Sequence, residues 1–90
     1  MPKSLRFSGN IRPTALSVDK QIVESDALIL PDGFDVRWIG GVDVLLLRDI
    51  AQVPVCSEAL IAFLERQHLK RQEAISLIFW CLGNGVLVGQ

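Results

Sequence analysis

The sequence predicts a small α+β domain, in which a three-stranded antiparallel β-meander is followed by two helices and a short terminal strand. Two short turn pairs, Asp32-Gly33 and Gly40-Gly41, separate apolar segments and predict the meander. Two later segments have apolar residues at helical spacing, and Gly83-Asn84-Gly85 ends the second. The length of 90 residues corresponds to one domain.

Composition and charge narrow the classes of protein to consider. Hydrophobic residues make up 50% of the chain, and the mean hydropathy is +0.38. This apolar surplus is either presented to a partner or taken up by buried strands. The net charge is −1, with nine Lys and Arg in no dense run, which disfavours nucleic acid as a partner. We find no membrane-spanning run and no signal peptide, and therefore expect a soluble cytoplasmic protein with no membrane partner.

The first 26 residues are the least determined part of the sequence. Residues 1–13 are polar and interrupted by Ser8-Gly9-Asn10, so residues 1–26 are interpreted as an N-terminal arm or edge segment. Within them, Leu16 and Val18 alternate as in a strand, whereas Val18 and Ile22 would also fit a helix. Residues 27–90 are predicted to form the single domain.

The meander is predicted from Ala27–Pro31, Phe34–Ile39 and Val42–Leu47. If both turns are tight, the pairs include Ile29 with Val36, Ala27 with Trp38, Trp38 with Asp43, Val36 with Leu45, and Phe34 with Leu47. The predicted core face then consists of Ala27, Ile29, Phe34, Val36, Trp38, Leu45 and Leu47. The opposite face consists of Leu28, Leu30, Asp35, Arg37, Ile39, Val42, Val44 and Leu46, and it is either partly covered by the N-terminal segment or open to a partner.

Two helices and a short strand complete the chain. Ser57 is the predicted N-cap of a helix that runs to about Gln67. The second helix is predicted from about Lys70 to Leu82, with a left-handed cap after it. Val86–Val88 is the predicted terminal strand.

The sequence contains no recognisable catalytic motif. Cys56 and Cys81 have no partners at metal spacing and are expected to be buried free thiols, although a disulfide between them remains an alternative. His68 lies between the helices, where an exposed structural role is expected. Trp80 lies off the main apolar stripe of its helix, so we expect it to be partly exposed or in an interface. We therefore predict a non-enzyme with no cofactor and no metal.

Three segments together resemble the PqqD-like domains, which are also called RiPP recognition elements. They are FDVRWIGGVDVLLL, VPVCSEALIAFLE and EAISLIFWCLGNGVLV, which span roughly residues 34–88. The resemblance implies a winged-helix-like fold in a bacterial accessory protein of RiPP biosynthesis, which presents a precursor peptide to a modifying enzyme. One departure is that the family has three helices after the sheet, whereas two are predicted here.

The resemblance also implies where a peptide would bind. The peptide would add as a strand to a sheet edge, with backbone hydrogen bonds giving affinity and side-chain pockets giving selectivity. The expected edge is Val42–Leu47 or Ala27–Pro31, beside a groove on the first helix. The expected binding residues are Val42, Val44, Leu46, Arg48, Leu60, Phe63, Arg66 and Trp80.

Three functions are compatible with the sequence. The first is a non-catalytic peptide- or protein-binding accessory module, which presents a precursor peptide to a modifying enzyme or acts as the partner subunit of one. The second is a winged-helix DNA-binding regulator that uses the helix at Lys70–Leu82, with Arg66, Lys70 and Arg71 at phosphates. The third is a homo-oligomeric structural protein, in the simplest case a homodimer, with Trp80 and the apolar helix at the interface.

Overall fold

The computed structural model describes the backbone of residues 1–90 and every side chain except those of Leu16 and Val18. Over this backbone there are eight short or medium strands and three helices. The strands are β1 Ser4–Phe7, β2 Asn10–Val18, β3 Gln21–Ile29, β4 Asp35–Val36, β5 Trp38–Ile39, β6 Val42–Asp43, β7 Val55–Cys56 and β8 Leu87–Gly89. The helices are α1 Val44–Ile50, α2 Ser57–Arg66 and α3 Arg71–Gly83.

The two ends of the chain meet in one antiparallel sheet. Its strand order is β7-β1-β8, so β1 is the middle strand. Leu5 pairs with Val55 on one side and with Gly89 on the other, and its side chain is fully buried. The prediction of an edge segment is therefore wrong for Ser4–Phe7, because a strand that is paired on both sides cannot lie at the edge.

A long two-stranded ribbon follows β1. β2 and β3 pair in register from Asn10↔Ile29 to Val18↔Gln21, which decides the open choice for residues 14–26 in favour of strands. Gly9 lies between β1 and this ribbon. A Cβ atom there would lie 2.6 Å from the Cδ1 atom of Leu28, so the close approach of backbone and side chain requires glycine.

The turn between β5 and β6 has the predicted geometry. Gly40 and Gly41 have φ angles of 56° and 81°, which is the left-handed pair that a tight hairpin turn needs. Trp38 pairs with Asp43 as predicted. The two strands end after two residues each, so the predicted pairs of Val36 with Leu45 and of Phe34 with Leu47 do not form.

The predicted third strand Val42–Leu47 is wrong beyond Asp43, because helix α1 begins at Val44. The Asp43 side chain accepts a hydrogen bond from the backbone N–H of Leu45 and thereby caps the helix. An apolar run of this length fits a buried strand or a buried helix equally well, and the aspartate before it was the distinguishing signal. The structure consequently has one helix more than predicted.

The register across the Asp32-Gly33 turn also differs from the prediction by one residue. Leu28, and not Ile29, pairs with Val36, because the loop is longer than two residues and the N–H of Leu30 donates to the carbonyl of Phe34. A slip of one residue exchanges the two faces of a strand. Leu28 is therefore buried, while Phe34 is 70% exposed and the predicted core residue Trp38 is 59% exposed.

The two predicted helices and the terminal strand form within one residue or so of their expected bounds. Cys56, and not Ser57, is the N-cap of α2, because the Cys56 sulfur accepts the hydrogen bond from the N–H of Ala59. α3 ends as expected, with Asn84 as C-cap and Gly85 at a φ of 72°.

The hydrophobic core lies between the β7-β1-β8 sheet and the three helices. Its fully buried side chains come from β1, β3, all three helices and β8, among them Leu5, Leu28, Val44, Leu47, Leu60, Leu64, Ile78, Cys81 and Leu87. The predicted fold class is confirmed, since the chain is a mixed α+β domain with a meander, helices and a terminal strand. The winged-helix likeness stays a prediction.

Candidate binding surface

Three of the predicted binding residues are in the core. Val42, Val44 and Leu60 are at most 2% exposed, and each packs within the main hydrophobic cluster. Val42 and Val44 are expected on an open face because the sequence predicts a strand over Val42–Leu47, and Leu60 is expected to line a groove on the first helix. In the structure α1 replaces most of that strand, so the predicted peptide-binding edge Val42–Leu47 does not exist and these side chains are inaccessible to a partner.

Four other predicted residues lie at the surface or close to it, on two different helices. Leu46 is exposed on α1, and the guanidinium of Arg48 lies 3.1 Å from the neighbouring Asp49 carboxylate. On α2, Phe63 packs partly against the core, and Arg66 is exposed at the last residue of the helix. None of the four lines the groove described next, which contains the eighth predicted residue, Trp80.

An open groove of about 540 Å³ runs between the β5–β6 turn and α3. We call it the α3 groove, and it is lined by Ile39, Gly40, Gln72, Glu73, Ser76, Leu77 and Trp80. Sequence reasoning identified only Trp80. The helical spacing also indicates two further groove residues. Gln72 and Ser76 precede Trp80 by eight and four residues and therefore lie on the same solvent-facing side of the helix.

The part of α3 after Glu73 has an exposed surface without charge. No Asp, Glu, Lys or Arg occurs in the sequence after Glu73. Ala74, Ile78 and Cys81 face the core, whereas Phe79 is 51% and Trp80 39% exposed. Aromatic side chains that keep this much contact with water on a small domain are typical of partner surfaces.

The β5–β6 turn forms the opposite wall of the groove. A Cβ atom on Gly40 would lie 3.9 Å from the Cδ1 atom of Leu77, so the turn approaches α3 to ordinary van der Waals distance. Ile39 contributes a half-buried aliphatic side chain beside it. The wall therefore depends on the left-handed turn conformation, which only the two glycines adopt without strain.

An ion pair holds this turn in place. The Arg37 guanidinium meets the Asp43 carboxylate through two hydrogen bonds of 2.9 and 3.2 Å. Arg37 Nη1 also donates to the Ser25 hydroxyl and to the Asp26 carbonyl, which joins the turn to β3. Its guanidinium carbon lies 5.6 Å from the ring centre of Trp38, within the range of a cation–π contact.

The same pair shifts the ionisation of both partners. Partial burial is the largest influence on Asp43 and opposes its charge, but the hydrogen bonds from Arg37 and from the Leu45 N–H together outweigh it and lower the pKa of Asp43. The hydrogen bond to Asp43 raises the pKa of Arg37. Both groups therefore stay charged throughout the neutral pH range.

The start of α3 brings basic residues next to the groove. The Glu73 carboxylate accepts a hydrogen bond of 2.8 Å from the Lys70 N–H and stabilises the first turn of the helix. Arg71 lies 3.1 Å from Glu58 and 3.8 Å from Glu65. Arg66 and Lys70 have no acidic partner among the described side chains, whereas the one charged residue that lines the groove is the acidic Glu73.

The two cysteines are free and occupy different environments. Cys56 is exposed, which corrects the expectation that it is buried, because its position as helix N-cap keeps it at the surface. Cys81 is buried as expected, and burial raises the pKa of its thiol to about 12. His68 is exposed in the connector between α2 and α3, as expected.

Two further findings concern metal binding and membranes, for the residues that the structure describes. Among them we find no group of three His, Cys, Asp or Glu residues that could hold a metal ion. None of the described helices has the length and apolar character needed to cross a membrane. The fold is thus a small mixed α+β domain, and an apolar groove lies beside its last helix.

Comparison of the chain with known protein families, curated proteins and solved structures found no match.

Proposed function

We propose that this protein is a non-catalytic protein- or peptide-binding module, and that the α3 groove is its binding surface. The observation that carries the proposal is the pair of exposed aromatic residues Phe79 and Trp80 on a helix face without charge, beside an open groove of about 540 Å³. Burying such apolar surface against a partner is favourable by about 25 cal/mol per Å². A cytoplasmic location, which is part of the same proposal, is supported by the two free thiols.

The mode of binding that fits the groove is the docking of an apolar segment, either a strand or a helix, along α3. The resemblance to RiPP recognition elements suggests a precursor peptide or its modifying enzyme as the partner. The groove replaces the site expected from sequence, since Val42, Val44 and Leu60 are buried, whereas Trp80 belongs to both.

DNA binding is the second candidate, and one observation favours it. α2 and α3 are joined by a four-residue connector, residues 67–70, as in a helix-turn-helix unit. Against it, a recognition helix presents polar side chains to base edges, whereas the exposed side of α3 carries Phe79 and Trp80. The charge of −1 also provides little attraction to phosphates.

The test is an affinity purification from the native lysate after nuclease treatment, carried out in parallel with three proteins. These are the wild type, the groove variant Trp80→Glu and the control variant Phe34→Glu, whose side chain is exposed but lies outside the groove. We expect a stoichiometric protein or peptide with the wild type and the control, and its loss with Trp80→Glu.

Three results would contradict the proposal. If the same partner is retained by Trp80→Glu, provided that the variant has the circular dichroism spectrum of the wild type, the groove is not the binding surface. If protected DNA is recovered without any protein, the regulator is the better description. Turnover by the purified chain alone would also remove the non-catalytic assignment.

A further inference from the structure

The α3 groove has a carboxylate at one end and apolar side chains at the other. Of the residues that line it, Glu73 alone carries a charge, and it lies in the first turn of α3. Leu77 and Trp80 follow on the same side of the helix, at spacings of four and seven residues. At about 1.5 Å per residue, Glu73 and Trp80 are about 10 Å apart along the helix axis. The two ends of the groove therefore suit different chemical groups.

The charge of Glu73 has no counterion within the described part of the chain. Its Oε1 atom accepts the hydrogen bond from the Lys70 N–H, which is a backbone contact that brings no positive charge. Among the described side chains, no basic group forms an ion pair with Glu73. The neighbouring Arg71 is instead paired with Glu58 and Glu65. Because Glu73 is exposed, its carboxylate is accessible to a basic group of a bound molecule.

The other end of the groove suits a large apolar side chain. Ile39 and Leu77 are half-buried and Trp80 is 39% exposed, so the three present aliphatic and aromatic surface to the groove. Gly40 beside them has no side chain to fill the space. An apolar side chain bound here would remove its own surface and part of the Trp80 ring from water, which favours binding.

Hydrogen-bonding groups lie along the groove between its two ends. Gln72 and Ser76 are exposed lining residues, and an amide and a hydroxyl can each donate to and accept from a peptide group. An extended segment has unpaired peptide groups to offer, whereas a helical segment has paired its own. On one side of a strand, residues two and four apart are separated by about 7 and 14 Å, and the distance of about 10 Å between the two ends lies between these spacings.

We infer that the α3 groove recognises an extended basic segment. A Lys or Arg side chain of this segment lies at Glu73, and a large apolar side chain two or four residues away lies between Leu77 and Trp80. The occupant follows from charge complementarity, since the one charged residue in the lining is acidic. The inference rests on the proposed function and deepens it, because it assigns a chemical class to the partner of the same groove.

The experiment begins with selection from a random heptapeptide library displayed on phage, against the immobilised full chain. Wild type, Glu73→Gln and the control Glu24→Gln are used in parallel. Glutamine at position 73 keeps an acceptor for the Lys70 N–H, so the start of α3 is preserved. Glu24 is exposed like Glu73 but lies on the β2–β3 ribbon, outside the groove. We expect wild type and control to enrich peptides with a basic and a large apolar residue two or four positions apart, and Glu73→Gln to lose the preference for the basic residue.

Titration of the most enriched synthetic peptide then measures the contact. Glu73→Gln is expected to raise the dissociation constant about threefold to fivefold, because an exposed ion pair contributes modestly. Glu24→Gln should leave it unchanged. Replacing the basic residue of the peptide by glutamine should cause a similar loss with the wild type and little further loss with Glu73→Gln. Additive losses would show that the basic residue binds elsewhere and would overturn the inference.

The failure of the inference and the failure of the proposed function are distinguishable through Trp80→Ala, which removes the ring without adding a charge. Acidic or uncharged peptides that lose affinity with Trp80→Ala overturn the basic segment and leave the proposed groove standing. Basic peptides that bind Trp80→Ala as tightly as the wild type overturn both, because their site lies outside the groove. If no peptide is enriched, the inference is overturned, and the affinity purification from the lysate decides the proposed function separately.

Discussion

At the scale of single residues, the Arg37–Asp43 pair connects more of the molecule than any other polar contact that we describe. Asp43 caps α1, and Arg37 reaches Ser25 and the Asp26 carbonyl on β3. Both side chains are about four-fifths shielded from water. A partly buried ion pair with two hydrogen bonds stabilises the fold more than an ordinary surface ion pair, because solvent screens it less.

Two substitutions separate the roles of Asp43. Asp43→Asn keeps a good helix cap but loses the charge, and we expect it to lower the free energy of unfolding by about 1–2 kcal/mol. Asp43→Ala loses both the cap and the charge, and a loss of about 2–4 kcal/mol is expected. Urea denaturation measures both values. Equal losses for the two variants would show that the cap contributes nothing.

The lowered pKa of Asp43 predicts that the free energy of unfolding depends on pH in the acid range. Because the pKa of Asp43 is lowered in the folded state, its contribution to stability is present above the unfolded-state pKa of about 3.9 and is lost as the pH falls through the lower folded value. Between pH 5 and pH 2, unfolding free energies should therefore fall less steeply for Asp43→Asn than for the wild type. Parallel curves would contradict the assignment.

The two thiols are expected to differ in reactivity. Cys56 is exposed, whereas Cys81 is buried, and its pKa of about 12 leaves it protonated at neutral pH. A thiol reagent should modify one cysteine in the folded protein and the second only on unfolding. Cys56→Ser is the control, since serine keeps a helix cap, and it should show no fast reaction. Rapid modification of folded Cys56→Ser would contradict the burial of Cys81.

At the scale of elements, residues 13–26 of the β2–β3 ribbon, which we call the arm, are stabilised differently from the body. α2 and α3 are anchored by fully buried side chains such as Leu64 and Ile78. The arm is held by its cross-strand hydrogen bonds and by Arg37 at its base. It should therefore open independently of the core, since exposed hydrogen bonds and few buried contacts mark regions of low local stability.

Shortening the arm tests this independence. Replacing residues 15–24 with Asn-Gly joins Thr14 to Ser25 through a tight turn, and the contacts of Arg37 with Ser25 and Asp26 remain. We expect the free energy of unfolding to change by less than about 1 kcal/mol, because the removed side chains that the structure describes are exposed. Thermal unfolding followed by circular dichroism measures it, and a loss of cooperativity would show that the arm belongs to the core unit.

At the scale of the whole molecule, the first strand completes the fold. β1 lies between β7 and β8, and Leu5 is fully buried among side chains from the helices. A chain of this size has a thin stability margin, so the loss of a central strand and its core residue is not compensated elsewhere.

Deletion of residues 1–8 should therefore abolish cooperative unfolding. Without β1, the strands β7 and β8 lose their shared partner, and a cavity replaces Leu5. Leu5→Met is the control, which keeps the volume and should cost less than about 1.5 kcal/mol. Amide dispersion in NMR spectra measures folding directly. A well-dispersed spectrum for the deleted chain would mean that the domain folds without β1.

The sequence by itself determined the features that depend on neighbouring residues. The two glycines of the β5–β6 turn, the cap after α3 and the positions of α2 and α3 follow from local turn, cap and periodicity signals, and the structure has them as predicted. The exposure of Trp80 also follows from its place off the apolar stripe. These interactions span four residues or fewer, so the local chain encodes them.

Tertiary structure decided what local signals left ambiguous. The apolar run from Val44 to Leu47 forms a helix that Asp43 caps, and Arg37 holds that carboxylate from across the β5–β6 hairpin. The burial of Leu5 required pairing with strands about 50 and 80 residues away in sequence. The α3 groove likewise exists only because the β5–β6 turn packs against α3, a contact between residues far apart along the chain, to which no local pattern corresponds.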